Sequence, residues 1–313
     1  MSDILNDNDI IYKYLYMPEG PEVLITAQFL DSKIRNKIIE SITLTSSKKY
    51  NSIDIVKNNE FKVEKVDSKG KFLWMVLKNI DNNESIYLMN WFGLKGRWQF
   101  NCEKDDYCRL KMVIKSKTQK GKTYDLYFVD SIGYGNIEIT NDYSKLQKKL
   151  NDLAPDIIKS NISNNELYDI IKKNNSRKNI VKVLMEDQKA IVSGIGNYMI
   201  AEILYDAKIN PHRNLNDLSD NEKMQLAKSI RKIGKYAYYV NTTDYVDYLS
   251  AFMKTHSKKI DNGIFPNYHA DIKPKHEFIF NAYKKKYDSI GNPITTDSII
   301  KERTIYWAPN VQK

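Results

Sequence analysis

Apolar residues recur at three- and four-residue intervals after Pro21 and again beyond Leu146 in this 313-residue chain, with short β-prone runs between these two stretches. After Pro21 the stretch EVLITAQFLDSKIRNK sets Val23, Leu24, Ala27, Leu30 and Ile34 at helical spacing, and the two prolines just ahead suit a helix start. From residue 40 to 140 the period shortens. ESITLTSS, FKVEKVDS, KFLWMVLKNI, SIYLMNWFG, GRWQFNC, CRLKMVIKS and TYDLYFVD are separated by Asn, Asp, Gly and Lys turns, which predicts an all-β sandwich or barrel. Near Leu146 helical spacing returns and predicts helices in KLQKKLNDLAPDII, ISNNELYDIIKKNN, NIVKVLMEDQ, GNYMIAEILYDAKI and SDNEKMQLAKSIRKIGKYAYYV. Ser219 with Glu222 three residues on reads as a capping box for the last of these. The tail returns to turns in KKKYDSIGNPITTDSII, then KERTIYWAPNVQ, and the Ile-Gly-Asn-Pro-Ile stretch within the first predicts a hairpin turn.

The resulting order is helix, β domain, helical domain and terminal hairpin, with a boundary near residue 150. Residues 1–16 read as an appendage. They are acidic and then aromatic, without the basic start, apolar stretch and small-residue cleavage site of a secretory signal. No run approaches the length of a membrane span, so an intracellular protein is expected.

Composition narrows the choice of partner. The formal net charge is +10, with 42% hydrophobic and 28% charged residues, and the sequence pI is about 9.1. Such an excess favours a polyanion, nucleic acid before an anionic membrane surface. Most of the basic residues are Lys, with seven Arg, so Lys richness is discounted and the net excess carries the inference. Cys102 and Cys108 are too few for a disulfide framework or a four-cysteine zinc site. A strand cysteine and a buried thiol are expected of them, in a reducing setting. His212, His256, His269 and His276 are scattered without a metal-ligand spacing, and His212 reads as a helix C-terminal cap. No metal and no cofactor are called for.

Four segments carry chemistry. In MPEGPEV, a Pro18 freed as a chain terminus would present a secondary amine. An α-amine titrates near about 8, so a usable fraction is neutral at pH 7. A neutral amine can attack a sugar C1′ and form an iminium, and Glu19 or Glu22 beside it can deliver a proton to the departing ring oxygen. Taken alone, the segment is also a Pro-rich helix start with solvent-facing acids. Lys71 in GKFLW is either a strand-edge lysine or a phosphate contact. SGIGNYMIAEIL leads a glycine turn into a helix with Asn197 in its first turn, where backbone N–H groups form an anion site. Arg303 in ERTIYWAPNVQ offers a planar fork suited to a phosphate or a damaged base. Lys284, Lys285 and Lys286 are phosphate contacts or a solvated turn.

Together these four segments resemble the formamidopyrimidine-DNA glycosylase / endonuclease VIII family, in the family's order and spacing, from about Met17 to Gln312. The KKK-x-D-x-x-GN and RT-x-YWAP-x-x-Q patterns are most similar to the endonuclease VIII-like glycosylases of giant DNA viruses, for which the host cytoplasm or a viral factory would be the location. The resemblance implies an α+β multidomain fold. Residues 17–145 would be a catalytic β-sandwich with a leading helix, 146–275 a helix-two-turns-helix domain, and 276–313 a β-hairpin finger. It implies a monomer that flips a damaged nucleotide out of DNA. By the same resemblance Pro18 is the Schiff-base nucleophile, Glu19 the proton donor to the sugar, Glu22 a supporting carboxylate, Lys71 a catalytic and phosphate-binding lysine and Arg303 the finger arginine that assists δ-elimination. Asn197, Leu94, Tyr134 and Arg109 would contact DNA, Leu94 as the wedge. The implied reaction is removal of oxidised pyrimidines and ring-opened purines, then β- and δ-elimination.

Three departures from the family pattern matter. Sixteen residues precede Met17, and a proline inside a chain has an amide nitrogen with no basicity. Either Met17 is the start or the extension is removed; with the extension retained, a non-catalytic damaged-DNA-binding protein is the alternative. Ala308 and Val311 stand at two of the finger's cysteine positions, so the tail resembles a zincless finger held by packing of Tyr306 and Trp307. In DSIGYG, Ile132 stands at the place of the arginine that reads the orphaned base. Weak opposite-base discrimination and a preference for single-stranded or bubble DNA are expected from that. No 8-oxoguanine loop is recognisable between residues 240 and 275.

Overall fold

The fold is described from a computed structural model, for residues 18–44, 50–51, 56, 58–102, 104–116, 121–174, 176–185, 189–239, 279–301 and 303–313. The expectations for residues 1–17, for the stretch 240–275 and for His256, His269 and His276 lie outside the described residues.

The chain opens with α1 (Gly20–Ile34), capped by a reciprocal Glu19–Glu22 capping box with proline in its first turn. Its apolar stripe is that read from the sequence: Val23, Leu24, Ala27, Leu30 and Ile34 are all buried. The β domain follows as β1 (Ile38–Leu44), β2 (Tyr50–Asn51), β3 (Phe61–Lys69), β4 (Phe72–Asn79), β5 (Ser85–Trp91), β6 (Arg97–Gln99), β7 (Cys108–Lys115), β8 (Thr123–Val129) and β9 (Asn136–Thr140). Their order is β2-β9-β5-β4-β3-β1-β7-β8-β6, antiparallel except for the β2–β9 pair. The run turns over at β1, which pairs with β3 through Ile38 and Ile39 and with β7 beyond a register shift at Ile39/Ser41. Bulges of this kind bend a strand and let a sheet fold back on itself. The architecture is a sandwich, not a barrel.

Apolar and polar positions alternate strictly along β7, which puts Leu110, Met112 and Ile114 inside. One polar bridge links β5 to β6 within the core: Trp98 Nε1 donates to Asn90 Oδ1 at 3.0 Å, both groups being fully buried. Pairing them satisfies two polar groups that would otherwise be costly inside a core.

The helical part comprises α2 (Tyr143–Asp152), α3 (Asn164–Asn174), α4 (Ile180–Met185), α5 (Asn197–Ala207) and α6 (Asp220–Tyr239). Helix α2 lies on the outer face of the sandwich, where Leu146 joins Phe72, Trp74, Met89 and Leu153 in a second apolar cluster. The Ser219–Glu222 capping box forms at the start of α6, with Ser219 N donating to Glu222 Oε2 at 2.7 Å and Glu222 N to Ser219 Oγ at 3.3 Å. Glu222 also pairs with Arg213.

The terminal hairpin is β10 (Thr295–Ile300) with β11 (Arg303–Trp307). The predicted turn ahead of it is built by Asp288, whose side chain accepts the N–H groups of Ile290 and Asn292 at 3.0 and 2.7 Å, while Gly291 takes φ of 91°. The hairpin is held by packing and hydrogen bonds. Tyr306 sits edge-on to Tyr283, Trp307 Nε1 donates to Asp297 at 2.6 Å, and Gln312 accepts from Ala308 N and donates to Ile209 O.

Two expectations change. His212 is not a helix cap: α5 ends on Lys208 in the left-handed conformation, and His212 reaches across to Asp297 at 3.0 Å and the Trp307 ring at 5.4 Å. Cys102 and Cys108 are not separate thiols; they are joined as a disulfide with Cα atoms 6.2 Å apart, because the short 3-10 turn Asp105–Tyr107 folds the chain back on itself between them.

Candidate active site

The site is built where the start of α5 meets the start of α1. Helix α5 opens on Gly196, and the first amides of a helix have no partner within it. They find one in Glu19. Its carboxylate accepts N–H from Gly196 at 2.9 Å, Tyr198 at 2.8 Å and Met199 at 3.2 Å. Gly196 is required for that approach, since a Cβ there would fall 2.3 Å from Glu19 Cδ. Glu19 is 2% exposed. Burial pushes its carboxyl up to about 8, partly opposed by the Lys71 charge and the helix amides and reinforced by Glu22.

Glu22 stands behind Glu19, accepting Glu19 N–H at 3.0 Å and the Tyr198 hydroxyl at 2.9 Å. Burial, followed by the charges of Glu22 and Glu19, raises the Tyr198 hydroxyl well above the usual tyrosine range. It therefore keeps its proton and serves as a hydrogen-bond donor to Glu22.

Lys71 is the second residue of the β3–β4 turn, where Gly70 takes φ of 57°. The turn is fastened by Asp156, whose buried carboxylate accepts Gly70 N–H at 2.7 Å. The Lys71 ammonium donates to the Ile195 carbonyl at 2.7 Å. Burial lowers its amine to about 8, with Glu19 opposing and Arg303 assisting. These pieces meet where Gly20 and Gly70 approach Gly194, with the side chains of Ser193 and Ile157 packed into the same junction. Gly20 N donates to Gly194 O at 2.8 Å, and a Cβ on Gly20 or Gly70 would fall 3.0 Å from Gly194 Cα or N.

The finger closes the site. Arg303 opens β11, with Nη1 3.8 Å from Met185 Sδ. Asn197 donates through Nδ2 to Thr304 O at 3.1 Å, while its buried Oδ1 has no hydrogen-bond partner. Glu202, one turn further along α5, accepts the N–H groups of Asn281, Ala282 and Tyr283 at 2.8–2.9 Å. It pins the chain that leads into the finger.

A cleft of about 470 Å³ is lined by Pro18, Glu19, Lys71, Asn197 and Arg303, with Leu94 and Tyr134 also on its wall. Tyr134 is 63% exposed. Leu94 and Tyr134 lie on two loops in close contact, since a Cβ on Gly93 would fall 2.4 Å from the Tyr134 backbone. Glu22 does not line the cleft and acts from behind it. Arg109 is also outside: its Nε donates to Asp130 O at 3.0 Å, and the Asp130 carboxylate holds Ile132 N and Gly135 N. Arg109 thus supports the loop that carries Ile132 and Tyr134. Sequence reasoning did not single out Lys149, Lys189 and Trp91, which also line the cleft. The Lys149 amine lies 5.3 Å from the Trp91 ring centre, and Lys189 pairs with Asp152 at 2.9 Å. Among the described residues no cluster of three or more His, Cys, Asp or Glu is placed to hold a metal, and no helix is long and apolar enough to cross a membrane.

Comparison with known proteins gives a consistent picture. Three family models match in chain order: the formamidopyrimidine-DNA glycosylase N-terminal domain over residues 17–137, its H2TH domain over 153–245 and its C-terminal domain over 270–313. The chain is 26% identical over 258 residues to the formamidopyrimidine-DNA glycosylase of Mycoplasma genitalium, covering 78% of this chain and 86% of that one. It is 27% identical over 320 aligned positions to that of Prochlorococcus marinus, covering 95% and 100%. The crystal structure of the Lactococcus lactis protein Fpg with DNA containing an abasic site superposes with a TM-score of 0.69 at 18% identity, over 94% of this chain and 99% of that one. That last likeness is one of fold.

Proposed function

We infer what this chain does from the family it belongs to, the formamidopyrimidine-DNA glycosylases: it is a DNA glycosylase of base-excision repair that also cleaves the strand at abasic sites. Its substrates are oxidised bases, pyrimidines and ring-opened purines, in DNA.

The observation that carries the mechanism is the convergence of Pro18, Glu19, Lys71, Asn197 and Arg303 on one cleft. The nitrogen of Pro18, once it is a chain terminus, attacks C1′ of the flipped nucleotide. The base leaves, and Glu19 delivers its proton to the sugar ring oxygen. A carboxyl raised to about 8 is protonated at neutral pH, as a general acid must be. The resulting iminium makes the C2′ proton acidic, so the 3′ phosphate departs by β-elimination. Arg303 and Lys71 bring positive charge to the cleft, where a phosphate must be held while it becomes a leaving group. Asn197, on the cleft wall at the start of α5, holds a DNA phosphate, and Leu94 with Tyr134 fills the gap left by the flipped nucleotide. With Ile132 in place of an arginine on the loop beside Tyr134, single-stranded and bubble DNA are preferred to duplex.

The test uses a chain beginning at Pro18, damaged DNA and borohydride. A covalent complex that disappears with Pro18→Gly supports this reading. No complex from that chain would leave a damaged-DNA-binding protein instead.

A further inference from the structure

Pro18 is acylated by Met17 in the 313-residue chain, so its nitrogen is an amide with no lone pair for attack. The cleft nevertheless contains another amine in a setting suited to covalent chemistry. Lys71 projects into the same cleft as Glu19, and its ammonium is held on the Ile195 carbonyl at 2.7 Å. That carbonyl belongs to the turn that feeds the start of α5, so the amine is held close to the helix end that fixes Glu19. Two further cleft lysines are less suited. Lys189 is occupied by Asp152, and Lys149 lies over the Trp91 and Phe72 rings on the α2 side.

We propose that Lys71 is the Schiff-base nucleophile of the chain that keeps its N-terminal extension, giving that form an AP-lyase activity on abasic sites without the ability to excise a base by way of Pro18. The inference rests on the cleft being an abasic-site lyase centre, as argued above.

The chemistry balances with groups already present. The neutral Lys71 amine adds to the C1′ aldehyde of a ring-opened abasic site, forming the N–C1′ bond as the carbonyl π electrons move to oxygen. The proton lost from nitrogen neutralises the new alkoxide, the protonated Glu19 carboxyl gives its own proton to the resulting hydroxyl, which leaves as water, and the C1′=N iminium forms beside a Glu19 carboxylate. The C2′–H pair then becomes a C1′=C2′ bond as the proton passes to the Glu19 carboxylate and the iminium π pair returns to nitrogen. That pair re-forms C1′=N, the C1′=C2′ electrons shift to C2′=C3′, and the C3′–O pair leaves with the phosphate. Water hydrolyses the imine and returns the amine. Burial supports this assignment by bringing the carboxyl of Glu19 up and the amine of Lys71 down towards the same value, with the Arg303 charge also lowering Lys71.

The experiment compares the full 313-residue chain with a chain beginning at Pro18. Each is incubated with an oligonucleotide bearing one aldehydic abasic site and with borohydride, which reduces any iminium to a stable secondary amine. The trapped species is then mapped by peptide mass spectrometry. The expected result is an adduct on Lys71 in the full chain and on Pro18 in the shorter one. Lys71→Gln in the full chain should lose the trapped species while still binding the oligonucleotide; since that variant could fail to fold, the map of the unsubstituted chain decides. Trapping by the shorter chain alone overturns the inference and leaves the proposed function standing. An adduct on the terminal α-amine, Lys149 or Lys189 of the full chain also overturns it. Trapping by neither chain removes the inference and the reading beneath it together.

Discussion

The Tyr198 hydroxyl donates to a Glu22 carboxylate oxygen at 2.9 Å, while the backbone N–H of the same tyrosine donates to Glu19 at 2.8 Å. One residue at the start of α5 therefore holds both acids at the start of α1, across 176 and 179 positions of chain. Tyr198→Phe removes one partner from a buried carboxylate and keeps the amide on Glu19. It should destabilise the fold by about 1–3 kcal/mol, read from the denaturant midpoint, while turnover per folded molecule changes little.

Gly196→Ala attacks the other end of that arrangement. The new Cβ would fall 2.3 Å from Glu19 Cδ, and the carboxylate must leave the helix amides. Single-turnover base excision by a chain beginning at Pro18 should fall by about 10²-fold or more, because displacement of a reacting group by about 1 Å costs that much.

The pH dependence of stability has a definite sign at Glu19. Its pKa is raised from 4.5 to about 8 in the fold, so its contribution to stability is full below 4.5 and is lost as pH rises to about 8. Glu19→Gln has no such loss. Without the carboxylate charge Lys71 is lowered further, which acts in the same direction. The melting temperature of the variant minus that of the parent should therefore increase between pH 4.5 and 8. A constant difference across that window would contradict the burial argument.

Ile132 is 38% exposed on the loop that Arg109 and Asp130 support. Ile132→Arg should raise the rate on duplex DNA relative to the single strand of the same lesion, measured as a ratio of kcat/KM values. An unchanged ratio would show that the side chain at position 132 does not set strand preference.

Arg303→Gln removes the finger charge from the cleft wall. Excision and β-elimination should continue at reduced rate, while the δ-elimination product declines. The ratio of 3′ unsaturated aldehyde to 3′ phosphate ends on a sequencing gel reads this directly.

Much of the fold was legible because the burial period is written in the residues. Val23, Leu24, Ala27, Leu30 and Ile34 mark the buried face of α1, and the alternation of β7 is plain. Strand β9 was not identified. It is five residues long, NIEIT, too short for its alternation to stand out, although Ile137 and Ile139 are fully buried. In the site, Pro18, Glu19, Lys71, Asn197 and Arg303 stood out as motifs. The residues that hold them did not. Tyr198 and Glu202 read as ordinary members of an amphipathic helix, and only the fold places one on Glu22 and the other on the chain leading into the finger. His212 was misassigned for the same reason, since its partner Asp297 lies 85 positions away. The Cys102–Cys108 link depends on a local turn that residue counts alone do not show.

The seam where Gly20, Gly70 and Gly194 meet has a consequence for how this enzyme can change. Glu19, Lys71 and Asn197 each sit within three residues of that seam, so their mutual placement depends on how closely these three glycines approach, with only Ser193 and Ile157 packed beside them. Side-chain junctions can drift, because a lost methyl on one side can be made up on the other. This junction has little such slack: a methyl on Gly70 would meet Ser193 at 2.7 Å and act as a shim between the catalytic groups. It works as a common datum for two domains, leaving lesion choice and strand preference to be adjusted at the rim while the chemistry stays in register.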